Sequence, residues 1–287
     1  MEKGLHNEGG NDAMKDVVVI TGGGSGMGLA AAKYMSKEKI IVLSGRTVSK
    51  LEKAVGELTE LGFEAYAHAC DTSDRQSVRL LAKYAAGLGM IRNVIHAAGL
   101  SPNMADGEKL LRVNALGTVY VNQEFSRVMG KGSVILDVSS NSAYALPGFL
   151  TKLAGRSYRY AETNEEVYLK KMLKLADLPK GEYQKAGFAY ALSKNFACWY
   201  AEKCAFRYGK KGIRVLSLSP GLIATDMGKL EEKEGSALIP FTAEERMGMP
   251  EELGYAIATA VDERNGYLAG VDILCDGGST NGKQFKK

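Results

Sequence analysis

Short, nearly unbroken apolar runs recur along the chain, at 17–20, 40–44, 64–69, 93–96, 134–138, 213–218 and 271–274. Between them lie stretches in which apolar residues return every three or four positions, at 27–37, 49–61, 77–86, 107–129, 190–208 and 250–261. The first pattern predicts strands and the second helices. Strands that are apolar on both faces and alternate with helices imply a parallel sheet covered on both sides, an α/β doubly wound fold of about seven strands. The first two strand–helix units form the half of such a fold that holds a dinucleotide.

The alternation is interrupted once, by an insertion at about 143–188. Within it, 158–175 mixes charged residues with Val167, Leu169, Met172, Leu173 and Leu175 at helical spacing. This predicts one or two helices, either capping a site or decorating the surface as a subunit contact. No repeat or low-complexity linker divides the rest, so residues 15–287 are expected to form a single domain. The polar, Gly- and Asn-containing stretch 1–14 is expected to be a disordered tail or extension.

The turn after the first predicted strand carries the first chemistry. Thr21-Gly22-Gly23-Gly24-Ser25-Gly26-Met27-Gly28 leads from the strand into a helix start. Glycines there let the backbone turn sharply and approach a pyrophosphate, while the helix N-terminus supplies free N–H groups and positive potential. Gly22, Gly24, Ser25, Gly26, Met27 and Gly28 are the candidate cradle. An acidic residue at the end of the second strand would bind ribose hydroxyls and favour NAD. Gly45 and Arg46 stand there instead, and a guanidinium pairs well with a 2′-phosphate, so NADP is favoured and NAD stays open. Asp71 and Thr72 follow the third strand, with Asp71 a candidate acceptor for the adenine amino group. Ala97, Ala98 and Gly99 follow the fourth and would let the cofactor lie close to the backbone.

The second strong signal is Tyr190-Ala191-Leu192-Ser193-Lys194. Four residues apart on a helix, Tyr190 and Lys194 share a face. A free tyrosine has a pKa of about 10 and is a poor acid or base near neutrality. A lysine ammonium and a cationic nicotinamide beside it favour the phenolate and bring it into working range.

Taken together, these motifs make the chain resemble a single-domain short-chain dehydrogenase/reductase with a Rossmann-type fold. The likeness covers about 15–279 apart from the insertion. It rests on the glycine turn, Ala97-Ala98-Gly99, Asn114, the Ser139-Ser140 pair, Tyr190 with Lys194, Pro220-Gly221-Leu222-Ile223-Ala224-Thr225 and the Asp276-Gly277-Gly278 ending. The resemblance implies a catalytic set of Asn114, Ser140, Tyr190 and Lys194, and a nicotinamide lined by Pro220, Gly221, Ile223 and Thr225. Tyr190 and Lys194 would also touch the cofactor, and Asn114 would hold a water for proton relay. It also implies a homodimer or homotetramer. Ala97 stands where the family usually has asparagine, which implies a packing change. Forty-nine residues lie between Ser140 and Tyr190. So long a connection is similar to that of bacterial 3α-hydroxysteroid dehydrogenase/carbonyl reductases, which points to a hydroxysteroid or bile acid as substrate. A general carbonyl or 3-oxoacyl reductase, and a cofactor-sensing protein without turnover, remain alternatives. A lid is expected at 226–247, loosely ordered around 231–235, with Met227, Leu230, Leu238, Ile239 and Phe241 as candidate apolar contacts.

Composition excludes several other classes. The net charge of +4 is spread without a basic stripe, so no nucleic-acid partner is expected. No apolar run is long enough for a membrane span. Four scattered cysteines without a CxxC pair fit a reduced, cytoplasmic setting, and three histidines without ligand spacing give no metal site.

Overall fold

The computed structural model describes residues 14–282 and 284–285, the side chains of 231–234 excepted. The expected tail, apart from Met14, lies outside the described residues. Seven parallel strands form one sheet in the order β3-β2-β1-β4-β5-β6-β7. They are β1 (Asp16–Thr21), β2 (Ile40–Gly45), β3 (Glu64–Ala69), β4 (Met90–His96), β5 (Val134–Val138), β6 (Arg214–Pro220) and β7 (Asp272–Cys275). All seven expected strands are present. The order reverses between β1 and β4, and the glycine turn sits at the carboxyl end of β1, where such sheets open a crevice.

The apolar runs work because successive strand residues face opposite sides. Val17 and Val19 pack into one core layer, and Val18 and Ile20 into the other. Helices α1 (Gly26–Lys33), α2 (Val48–Glu60) and α11 (Pro250–Ala260) cover the second layer. The first is covered by α3 (Arg75–Leu88), α5 (Gly117–Phe125) and α9 (Glu182–Tyr208).

The helices expected at 107–129 and 190–208 depart most from the expected pattern. The predicted helix at 107–129 is split into α4 (Gly107–Leu110), a π-helical turn (Leu111–Leu116) and α5. Thr118 Oγ1 donates to the Asn114 carbonyl at 2.7 Å, so a side chain binds a group at the widened turn. The predicted helix at 190–208 starts two turns earlier, at Glu182, after Gly181 at a φ of 97°. Tyr190 therefore sits within a long helix and not at its start.

The insertion forms α6 (Gly148–Tyr158), α7 (Tyr160–Thr163) and α8 (Glu165–Ala176). They pack onto α9 through Tyr158 and Tyr168, both fully buried, against Phe196, whose ring also stacks on Tyr200. Glu162 accepts hydrogen bonds from Tyr200, Lys203 and Arg207 of α9 and from Gln123 of α5. Tyr120 of α5 donates to Glu165 at 2.7 Å. The insertion is thus an integral layer over α5 and α9, and the end of α8, at Leu173 and Ala176, lines a cavity beside the start of α9.

Candidate active site

The glycine turn is shaped by close approach. Gly22 has a φ of 68°, and a Cβ there would meet the Ala97 and Ala98 backbone at 2.8 Å. A Cβ on Gly28 would fall 2.5 Å from the Gly22 carbonyl, so only glycine lets α1 sit this near the strand end. The resulting groove of about 450 Å³ is lined by Gly22, Ser25, Gly26, Met27 and Gly28 on one wall. Ala97, Ala98 and Gly99 form another, and Arg46, Asp71 and Thr72 close one end. Gly24 lies off the groove, against Lys50 and Leu51 of α2. Burial alone would raise the Asp71 carboxyl, but hydrogen bonds from Ser73 and the charges of Lys109 and Arg46 hold it below its ordinary value. Asp71 is therefore an ionised acceptor beside the Arg46 guanidinium.

Beneath the groove, Thr21 and His96 bind each other at 2.8 Å, and Thr21 Oγ1 also accepts from the Ala98 N–H. This polar tie stands beside Ala97, which offers no side-chain polar group. Burial, with a smaller effect of the Lys194 charge, pushes His96 down to about 3, so its ring is neutral.

The groove continues into a cleft of about 270 Å³ that shares Met27, Ala97, Gly99 and Thr225 with it. Ser140, Tyr190 and Lys194 line this cleft, with Pro220, Gly221 and Ile223 opposite. Lys194 is buried, donates to the Val138 carbonyl at 2.9 Å and lies 5.8 Å from the Tyr190 ring centre. A Cβ on Gly99 would sit 3.3 Å from Asn114 Oδ1 and 3.5 Å from Lys194 Nζ, so this glycine leaves open the space before both groups. Ser140 caps the 3-10 turn Asn141–Tyr144, its Oγ accepting from the Ser142 N–H at 3.2 Å. That turn fixes the hydroxyl at the cleft wall.

Asn114 occupies the π-helical turn. Its side chain binds both backbone groups of Leu100 and donates to Ser193 Oγ at 3.3 Å, while Ser193 donates to the Tyr190 carbonyl at 2.7 Å. The expected relay position thus braces the loop after β4 and the catalytic helix. Several contributors escaped sequence reasoning. Ser139 donates to the Lys194 carbonyl at 2.8 Å and fastens α9 to β5. Gly187 and Tyr183 line the cleft three and seven residues before Tyr190, on its helix face. Their spacing puts them on the face of Tyr190, but the helical pattern expected from 190 begins after both.

The expected lid at 226–247 contains α10 (Asp226–Gly235), within which the stretch 231–235 falls, and a 3-10 turn, Ser236–Phe241. Met227 and Leu238 face the cleft, whereas Leu230 is exposed. Asn103 Nδ2 donates to the Leu230 carbonyl at 2.9 Å, tying the lid to the loop after β4. The Asp276-Gly277-Gly278 ending anchors the lid from below, with the Ala243 N–H donating to the Gly277 carbonyl at 2.8 Å.

Among the described residues no helix is long and apolar enough to cross a membrane, and no group of three or more His, Cys, Asp or Glu is placed to hold a metal ion.

The profile described as short chain dehydrogenase matches residues 16–151. A second, described as enoyl-(acyl carrier protein) reductase, matches 176–280. The chain is 27% identical over 270 residues to "Short-chain dehydrogenase/reductase bsc3" of Alternaria brassicicola, covering 92% of this chain and 96% of that one. It is 25% identical to a cyclohexanol dehydrogenase of Acinetobacter sp., covering 98% and 100% of the two chains. It is 24% identical to the 7alpha-hydroxysteroid dehydrogenase of Escherichia coli K12, covering 91% and 92%. In fold it is similar to a short chain dehydrogenase of Burkholderia cenocepacia solved with NADP, at a TM-score of 0.71, 21% identity and coverage of 91% and 96%.

Proposed function

The chain belongs to the short-chain dehydrogenase/reductase family and is an oxidoreductase acting on CH–OH groups; from that premise we propose that it interconverts a hydroxysteroid and its ketone with NADP(H) as the preferred cofactor. One observation carries the reading. Ser140, Tyr190 and Lys194 meet in a cleft continuous with a dinucleotide-shaped groove that ends at Arg46.

The residues fit a nicotinamide dinucleotide. The glycine turn leaves its backbone bare at the start of α1, and the groove runs from Arg46 to the catalytic cleft. When bound, the nicotinamide supplies or accepts the hydride. Arg46 would pair with the 2′-phosphate, and Lys194 would hold the ribose hydroxyls. Tyr190 gives its phenolic proton to the carbonyl oxygen during reduction and takes it back during oxidation. Ser140 hydrogen-bonds that oxygen and fixes its direction. The Lys194 ammonium favours the tyrosine anion left behind. The relatives named for cyclohexanol and for a 7α-hydroxysteroid support a ring-borne secondary alcohol.

The test follows reduced-nicotinamide absorbance with hydroxysteroids, their ketones and cyclohexanone, each with NADP(H) and NAD(H). Steroid turnover with NADP(H) is expected, together with a loss of about 10²–10⁴-fold in Tyr190→Phe while cofactor binding persists. Turnover of cyclohexanone alone would point to a general carbonyl reductase. Normal rates in Tyr190→Phe would refute the catalytic assignment.

A further inference from the structure

A second cavity, of about 300 Å³, adjoins the catalytic cleft. Pro102 and Tyr183 line both, so they form a shared wall between the two. Tyr183 precedes Tyr190 by seven residues, about 10 Å along the axis of α9. The cavity lies where the start of α4, the end of α8 and the start of α9 converge, and α8 belongs to the insertion. Its apolar lining comes from Ala105, Leu173, Ala176 and Ala186. Its charged lining is three carboxylates, Asp106, Asp177 and Glu182, against one ammonium, Lys185. Lys185 reaches Glu182 at 3.3 Å and Asp177 at 3.6 Å, which leaves the cavity net negative.

We propose that this cavity is a distal substrate subsite. It takes the far end of an elongated alcohol or ketone, and it selects a neutral or cationic terminus over an anionic one. The inference rests on the hydroxysteroid reading and deepens it. A molecule that presents a carbonyl to Tyr190 and extends back along α9 passes Tyr183 and reaches the apolar floor. A neutral side chain meets alanine and leucine surface there, and an ammonium gains from the surplus negative charge. A carboxylate is repelled by Asp106, Asp177 and Glu182. Because Asp177 and Glu182 are exposed, the discrimination is modest and sensitive to salt. The substrate class is therefore a ring ketone with an uncharged or amine-bearing tail, not one ending in a carboxylate as a bile acid does.

The experiment compares kcat/KM for three ketosteroids that share a skeleton and end in a carboxylate, the corresponding primary alcohol or the corresponding primary amine, with cyclohexanone as a short reference. At low salt the alcohol and the amine should each exceed the carboxylate by about fivefold. High salt should narrow that gap. In the double variant Asp177→Asn, Glu182→Gln the amine-to-carboxylate ratio should fall toward unity, since Asp106 and Lys185 then balance each other in the lining. Equal kcat/KM for the three tails would overturn the subsite, as would a ratio unmoved by the double variant. Turnover of cyclohexanone but of none of the steroids would also overturn the subsite while leaving the catalytic assignment standing. Inactivity toward every ketone would remove that assignment and the subsite with it.

Discussion

Asn114 grips Leu100 at both of its backbone polar groups: Oδ1 accepts from the Leu100 N–H and Nδ2 donates to the Leu100 carbonyl, each at 2.9 Å. One side chain thereby takes the place of a strand partner for the loop that leaves β4. That loop walls both the cofactor groove and the substrate cleft through Gly99 and Leu100. Asn114→Ala leaves two buried backbone groups unpartnered and should destabilise the fold by about 2–4 kcal/mol. Turnover should fall in parallel, because the same amide braces Ser193 on the catalytic helix. Chemical denaturation measures the first effect, and an unchanged midpoint would contradict the bracing role.

Arg46 closes one end of the cofactor groove, beside the ionised Asp71. If it pairs with a 2′-phosphate, Arg46→Ala removes a charge-assisted contact that NADH never makes. The KM for NADPH should rise roughly ten- to thirtyfold, corresponding to about 1.5–2 kcal/mol, with the KM for NADH changing little. Steady-state kinetics with both cofactors decide it, and equal effects on the two would assign Arg46 to general binding.

Asp137 is fully buried on β5, with Asn122 Nδ2 donating to both its oxygens and the Asn122 Oδ1 unpartnered. Burial raises its carboxyl from 3.8 to about 7, against the opposing effects of Asn122 and Lys194. Between those values the folded chain keeps a proton that the unfolded chain has released. Asp137 therefore withdraws stability as pH rises through that window. Asp137→Asn abolishes the titration, and its amide can donate to the orphan Asn122 oxygen. The variant should gain stability over the parent at pH 8 more than at pH 5. Thermal unfolding at the two pH values measures this, and an equal difference at both would contradict the buried, protonated carboxyl.

Glu162 joins the insertion to α9. Burial would raise its carboxyl, but the donors Arg207, Lys203 and Tyr200 outweigh burial and bring it to about 2. The stability it contributes is complete above the ordinary carboxylate range and is lost as pH falls from about 4.5 toward 2. Glu162→Gln should cost about 1–3 kcal/mol at pH 7, less than for a wholly buried pair because Arg207 and Lys203 are partly solvated. The deficit should shrink as pH falls below the ordinary carboxylate range and vanish only below about pH 2. Limited proteolysis should then cut the insertion first, and a cut elsewhere would show that Glu162 does not hold it down.

Much of the molecule was legible in the linear chain because the signals are local. Apolar runs such as Val17 to Ile20 must be buried on both faces, so they determine the parallel sheet. Backbone geometry requires glycine at Gly22 and Gly28, and helical periodicity puts Tyr190 and Lys194 on one face, so both motifs announce themselves. What tertiary structure decided depends on contacts between distant segments. The partnership of Asn114 with Leu100, of Thr21 with His96 and of Ser139 with the Lys194 carbonyl has no sequence spacing to reveal it. The early start of α9 at Glu182 and the helical form of the expected lid at Asp226–Gly235 are not legible in the chain, since weak local preference is overridden when neighbouring elements supply the packing. The insertion shows the division most plainly. Its periodicity predicts helices, but only the meeting of Tyr158 and Tyr168 with Phe196 sets which surface they cover, because burying aromatic area is non-directional and takes its partner from the fold.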